Sequence, residues 1–157
     1  MNSHDISILV VLVFVAAAVA ALFVQQKQFR FKKRRLMSGN ELEFFQRICR
    51  AVPDGHVFPQ VAMSALIEPA TSRGKLYQAA FRRISQKRVD YAVLDGNMKL
   101  LVVIELDDIT HNARQDARRD AYLKSAGITT IRYDSRHKPP AARIQADLIK
   151  LGTKEKS

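Results

Sequence analysis

Acidic residues and a histidine lie together at the end of one of the most apolar segments of the chain. In "VVIELDDITH", residues 102–111, one residue separates Glu105 from Asp107, and His111 follows four residues later. Residues two apart in a strand face the same side of a sheet. Carboxylates that close raise each other's pKa unless a cation offsets their charge, and Mg²⁺ or Mn²⁺ prefers such oxygen ligands. A histidine beside them can act as a general base near neutral pH.

A second segment supplies another acid to the same place. The runs "RVDYAVLD" and "KLLVVIEL" are separated by Gly96-Asn97, which predicts a hairpin. In an antiparallel hairpin centred near Asn97, Asp90 lies opposite Glu105, with side chains about 5 Å apart on one face. We therefore predict that Asp90, Glu105 and Asp107 converge as ligands of Mg²⁺ or Mn²⁺. A shift of one residue in register would turn Asp90 to the other face.

The elements that position these residues follow an α/β order. Helical spacing of apolar residues, the edge-strand residue Pro59 and the helix-ending Gly127 define most of them. We predict a helix over 41–51 capped by Asn40 and Glu43, an edge strand over 56–66, a short helix containing Leu76, Ala80 and Ile84, the two hairpin strands, a helix over 112–125, the strand "ITTIRYD" and a helix after Pro139-Pro140.

The N-terminal segment predicts a membrane anchor. Residues 6–24 are apolar apart from one serine, and at 1.5 Å per residue they approach the about 30 Å of a bilayer core. Ala18-Val19-Ala20 also fits a signal-peptidase site, but no basic residue precedes the apolar run. The basic segment "KQFRFKKRR" at 27–35 follows it and keeps that end in the cytoplasm. We predict a single-pass inner-membrane protein, with its N-terminus outside and its C-terminal domain cytoplasmic.

Charge and cysteine content narrow the classes of partner. The formal charge of +11 and the pI of about 10.2 favour polyanionic partners such as DNA, RNA or a lipid surface. The basic segment at 27–35 suits anionic lipid headgroups. Without it the chain is still moderately basic, which permits a phosphate-binding surface. The single cysteine, Cys49, excludes an internal disulfide and lies in a helical apolar pattern, which indicates a buried structural thiol.

Four regions follow from these patterns. We predict a transmembrane anchor over residues 1–26, a basic juxtamembrane linker over 27–38, a folded domain over 39–152 and a tail over 153–157.

Residues 40–135 resemble the PD-(D/E)xK, or restriction-endonuclease-like, superfamily. The resemblance rests on an acid in the first helix, Asp90 early in the second strand and "IELD" closing the third. More narrowly, "VDYAVLD…LVVIELDDITH…DARRDAYLKSAGITTIRY" is similar to bacterial domains of unknown function that are related to very-short-patch mismatch-repair endonucleases. The resemblance implies an α/β fold with a restriction-endonuclease-like mixed sheet, an α-β-β-β-α-β core, which here follows one transmembrane helix.

The resemblance also implies roles for individual residues. Asp90 and Glu105 match the acids that hold the catalytic metal in the superfamily. Glu41 or Glu43 matches the acid of the first helix, which helps to hold metal or water. Acids in a first helical turn are also favoured by capping and by the helix dipole, so these two residues have a structural explanation as well.

One position departs from the superfamily pattern. Asp107 stands where the signature has a lysine, whose ammonium group orients the attacking water or stabilises charge on the phosphate. His111 is the candidate replacement as general base, as the mismatch-repair relatives suggest. A basic side chain could supply the missing positive charge. The candidates for that charge are Arg114, Arg118 and Lys87.

Two functions from different classes remain open at this point. The first is a membrane-tethered, Mg²⁺-dependent nuclease-like domain that hydrolyses phosphodiester bonds of DNA or RNA, with Asp90, Glu105, Asp107, His111 and Glu41 in its active site. The second is a catalytically inactive descendant of that fold, which binds nucleic acid or a protein partner at the membrane. Replacement of the signature lysine favours the second function, and retention of the acids favours the first.

Overall fold

A four-stranded mixed sheet forms the centre of the larger of two units into which the chain divides, with the boundary between Arg34 and Arg35. The computed structural model describes residues 3–24, 30–108 and 113–154. Its elements are α1 (Ser3–Val24), α2 (Gly39–Ala51), β1 (His56–Ala62), α3 (Met63–Leu66), α4 (Lys75–Ile84), β2 (Arg88–Leu94), β3 (Leu100–Asp107), α5 (Ala113–Ser125), β4 (Thr130–Asp134) and α6 (Ala141–Lys154).

The strands lie in the order β1-β2-β3-β4. The first three are antiparallel neighbours joined by short connections, whereas β4 pairs with β3 in parallel after the α5 crossover. The hairpin turns between Asp95 and Lys99, where the Asp95 carboxylate accepts hydrogen bonds from two backbone N–H groups. Met98 has a φ of 65° in this turn. The hairpin and the mixed α/β architecture are therefore as predicted.

Helices cover both faces of the sheet, and each face has its own apolar cluster. The first cluster joins α2 and α6 to one face and contains Phe44, Ile48, Ala51, Tyr91, Val93, Val102, Ile104, Leu106 and Ile144. The second cluster joins α3, α4 and α5 to the other face and contains Met63, Ile84, Val89, Ala92, Val103 and Leu123. Alternation along β3 sends Val103 and Glu105 toward α5, because residues two apart share a face.

Two predicted element boundaries are corrected. The residue that caps α2 is Ser38 rather than Asn40: Ser38 Oγ accepts from the Glu41 N–H at 3.2 Å, and the Glu41 carboxylate accepts from the Ser38 N–H at 2.6 Å. This reciprocal capping box leaves Asn40 inside the helix. The first strand ends at Ala62 rather than at residue 66, because the chain then turns into the short helix α3.

The predicted membrane anchor is not supported. A helical span needs about 20 consecutive apolar residues. Within the described ranges, no helix is long and apolar enough to cross a membrane. This finding overturns the predicted transmembrane helix over 6–24, the inner-membrane localisation and the orientation derived from it. Residues 27–29 of the predicted lipid-binding segment lie outside the described residues.

Candidate active site

Strand pairing brings two acidic side chains together where β2 begins and β3 ends. Tyr91 pairs with Ile104 in the antiparallel ladder, so Asp90 and Glu105 form the next pair along the two strands. Asp90 also accepts a hydrogen bond through Oδ2 from the Leu106 N–H, at 2.9 Å. That bond holds the Asp90 carboxylate against β3. The predicted opposition of Asp90 and Glu105 is confirmed.

Glu105 is fully buried, which is rare for an acidic side chain. Burial, together with the negative charge of Asp90, raises the pKa of Glu105 to about 8, although the guanidinium groups of Arg119 and Arg132 oppose the shift. Burial also raises the pKa of Asp90, against the hydrogen bond from the Leu106 N–H. The pair therefore holds a proton near neutral pH.

Arg119 reaches this pair from α5. Its Nη2 atom lies 3.1 Å from Oε2 of Glu105, and the Arg119 side chain is only 16% exposed. Arg119 precedes the fully buried Leu123 by four residues, and residues four apart on a helix share a face. Packing of Leu123 against the sheet therefore directs Arg119 at Glu105. The four-residue spacing between Arg119 and Leu123 was the signal in the sequence that identifies Arg119. We predicted Arg114, Arg118 or Lys87 for this positive charge instead.

Asp107 belongs to a separate ion network. Its Oδ1 atom accepts from Nη1 of Arg132 at 2.5 Å, while Nε and Nη2 of Arg132 donate to both carboxylate oxygens of Asp120, at 3.0 and 2.9 Å. Arg132 lies beside Glu105 in the parallel ladder between β3 and β4. Sequence reasoning missed Arg132. Because one guanidinium group joins two strands and a helix, the network fixes α5 on the sheet and with it the position of Arg119.

Of the two candidate acids in α2, Glu41 is the one near the pair. Its carboxylate closes the capping box and also accepts from Nε2 of Gln60 at 3.4 Å. Tyr91 donates its hydroxyl hydrogen to the Glu41 carbonyl oxygen at 2.8 Å, and the Glu41 charge contributes to the raised pKa of Asp90. Glu43 instead pairs with Arg47 and Lys138, each at 2.5 Å.

Gln60 has an unusual backbone conformation at the edge of this site. Its φ of 56° lies in the left-handed region, which non-glycine residues seldom adopt. The residues on either side of it, Pro59 and Val61, pair with Tyr91 and Val89, so Gln60 lies across from Asp90. Strained residues of this kind cluster at functional sites. Sequence reasoning missed Gln60, although Pro59 marked an irregular edge strand.

The described residues contain no group of three or more His, Cys, Asp or Glu side chains arranged to hold a metal ion. The predicted ligands Asp90, Glu105 and Asp107 do not form one cluster, because Arg132 holds Asp107. The two remaining acids still fit a hard divalent cation. Both Glu105 oxygens are buried and accept no hydrogen bond within the described part of the chain, although the Arg119 guanidinium forms an ion pair with Oε2. His111, the predicted general base, lies outside the described residues.

Comparison with known proteins gave one family and one relative. Residues 33–151 match the family described as "Protein of unknown function (DUF2726)". An uncharacterized protein from Haemophilus influenzae (strain ATCC 51907 / DSM 11121 / KW20 / Rd) is 29% identical over 101 residues, which cover 62% of this chain and 50% of the relative. The chain thus spans about half the length of that relative. No solved structure gave a match.

Proposed function

The chain belongs to the DUF2726 family of proteins of unknown function, and from the geometry of its site we propose that it is a metal-dependent nuclease-like domain that hydrolyses phosphodiester bonds of nucleic acid. The supporting observation is the pair of carboxyl groups formed by the fully buried Glu105 and the half-buried Asp90. Two acids held this close, one of them buried, are costly unless a proton or a cation offsets their charge. A raised pKa in such a pair is typical of functional sites.

Mg²⁺ or Mn²⁺ would be held by Asp90 and Glu105. When bound, such an ion neutralises charge on a phosphate and lowers the pKa of a bound water. The resemblance to the PD-(D/E)xK superfamily supports this assignment, because these two acids occupy its metal-binding positions. We also assign Glu41 the role of orienting water beside the pair, because its charge contributes to the raised pKa of Asp90 and its carboxylate accepts from Gln60.

The chain's own basic groups would compensate for the missing signature lysine. Arg119 already lies within 3.1 Å of Glu105, and an arginine can bind a phosphate through two parallel hydrogen bonds. We assign Arg119 the role of orienting the phosphate and stabilising its developing charge. His111 keeps its proposed role as general base, which accepts the proton of the attacking water.

One observation favours a non-catalytic module instead. The Arg119 guanidinium offsets the charge of Glu105 without any metal, as expected if the acids now serve only to hold α5 on the sheet. On that alternative the chain would bind nucleic acid or a protein partner, and removal of Glu105 would affect stability alone.

Cleavage assays on the full chain separate the two functions. Labelled single-stranded and duplex DNA and RNA would be incubated with Mg²⁺, Mn²⁺ or EDTA. We expect metal-dependent cleavage that is weaker in Glu105→Gln and Asp90→Asn. Loss of a metal ligand should reduce cleavage by more than loss of a hydrogen bond that supports a ligand, which costs about 10- to 100-fold. Asp54→Asn is the matched control, because Asp54 is exposed in the turn before β1, away from the pair.

Calorimetry with Mn²⁺ gives the complementary result. We expect binding heat in the full chain that is absent in Glu105→Gln and present in Asp54→Asn. Absence of heat in the unmodified protein would exclude the nuclease-like function. Equal cleavage by the unmodified protein and Asp90→Asn would identify a contaminating nuclease.

A further inference from the structure

The segment from residue 69 to residue 89 is strongly basic and contains no acid. It includes α4 and the residues on either side of it. Its six basic residues are Arg73, Lys75, Arg82, Arg83, Lys87 and Arg88. Five of them are exposed, and Lys87 is half-buried. Like charges at this density create a positive potential, which attracts anionic partners.

These six side chains are also unpaired within the part of the chain that the structure describes, where none of them forms an ion pair or a side-chain hydrogen bond. Other basic residues of the same unit are engaged with acids: Arg47 with Glu43, and Arg132 with Asp107 and Asp120. Within the described residues, α4 and the residues beside it therefore carry a concentration of positive charge that no acid pairs with.

The basic segment around α4, residues 69–89, lies on the same face of the sheet as Asp90 and Glu105. Ile84 at the end of α4 packs with Val103 and Leu123 in the second apolar cluster. Val103 shares its face of β3 with Glu105. Along the chain, Lys87 and Arg88 come directly before the strand residues Val89 and Asp90, and the Lys87 carbonyl accepts from the Met63 N–H at 2.9 Å.

We infer that this surface, Arg73 to Arg88, binds the sugar-phosphate backbone of a nucleic acid and leads it toward Asp90 and Glu105. The inference rests on the proposed function and adds a binding surface to it. Charge complementarity selects the partner: six cations in a segment without acids match a polyanionic backbone, and backbone contacts of this kind position a nucleic acid without reading its sequence.

Binding of the full chain to a fluorescently labelled oligonucleotide, in EDTA and over a series of KCl concentrations, tests the surface. The variant is Arg82→Gln with Arg83→Gln, and the matched control is Arg50→Gln with Lys99→Gln, two exposed residues outside the segment. The basic segment at 27–35 is present in every protein, so the differences between proteins are informative.

Loss of two phosphate contacts is expected to weaken binding about 10-fold or more at low salt. It should also reduce the slope of log K against log salt by about 1.4 to 1.8, since each contact contributes about 0.7 to 0.9. The control pair should keep the affinity within about 2-fold and leave the slope unchanged. Arg82→Lys with Arg83→Lys should bind like the unmodified protein, which would separate lost charge from lost folding.

Unchanged affinity and slope in the Arg82/Arg83 variant would overturn the inference, as would absence of oligonucleotide binding by the unmodified protein. Loss of binding to phosphatidylglycerol vesicles without loss of oligonucleotide binding would assign the surface to lipid instead. The test is independent of catalysis. If the Arg82/Arg83 variant binds the oligonucleotide like the unmodified protein, cleavage that depends on Glu105 is still expected. If no cleavage is observed, salt-dependent binding through Arg82 and Arg83 is still expected.

Discussion

At the scale of single residues, the protonation state of Glu105 is the decisive property of the site. Its pKa in the folded protein is about 8, against a usual value of 4.5, because burial penalises the ionised form and Asp90 adds repulsion. The folded-state pKa lies above the unfolded-state pKa. The resulting contribution to stability is therefore fully present below about pH 4.5 and is lost as the pH rises toward 8.

This property makes stability depend on pH in a specific direction. Between pH 5 and pH 8, the free energy of unfolding of the unmodified protein should fall by an amount on the order of a few kcal/mol that is absent in Glu105→Gln. The amide has a similar shape and cannot ionise. Urea denaturation at several pH values measures the difference, with Asp54→Asn as the control. Parallel pH profiles for the unmodified protein and Glu105→Gln would mean that Glu105 is already ionised at neutral pH.

At the scale of elements, the start of α2 links local helix stability to the site. The Ser38 hydroxyl and the Glu41 carboxylate close the capping box, and the same Glu41 side chain accepts from Gln60. The Glu41 side chain thus caps the start of the helix, and its negative charge acts on Asp90. Its position near the site follows from the local sequence and from the packing of Phe44 and Ile48 under α2.

Removal of the cap should cost a predictable amount of stability. Ser38→Ala is expected to lower the free energy of unfolding by about 1 kcal/mol, because the Glu41 N–H loses its acceptor. Ser38→Asp restores an acceptor and should stay close to the unmodified protein. Thermal unfolding followed by circular dichroism measures both variants. Equal losses in the two would show that the hydroxyl is not what caps the helix.

At the scale of the whole molecule, the sheet of the larger unit is stabilised from both sides by separate apolar clusters. The cluster under α4 and α5 lies on the face of the sheet that Val103 shares with Glu105, and the cluster under α2 and α6 supports the opposite face. Positive charge is distributed unevenly over this framework. Arginines near the site are paired with acids, whereas those of α4 are not paired within the described residues.

Two isoleucines of α6 provide a test of this two-sided packing. Ile144 is fully buried in the first cluster, while Ile149 on the same helix is 61% exposed. Ile144→Ala should lower the free energy of unfolding by about 2 to 5 kcal/mol, and Ile149→Ala should change it by less than about 0.5 kcal/mol. Urea denaturation measures both. Similar losses in the two variants would contradict the position of α6 on the sheet.

Parts of the fold and of the site could be predicted because they depend on neighbouring residues. The hairpin between β2 and β3 follows from Gly96-Asn97 and two apolar runs, and its symmetry places Asp90 opposite Glu105. Gly127 was expected to end α5, and its φ of 76° agrees. The capping residue of α2 was misplaced by two positions, because Ser38 and Asn40 are both suitable caps and are followed by an acid at the same spacing.

The sequence by itself determined the α/β order of elements, the pairing of the two acids and the basic character of the segment around α4, since spacing and composition express these directly. Only the tertiary structure decided which basic side chain pairs with which acid. Arg119 approaches Glu105 because Leu123 anchors α5 to the sheet, and Arg132 holds Asp107 because β4 pairs in parallel with β3. Those contacts join residues that are far apart in the chain, so their burial and their charges are set by packing.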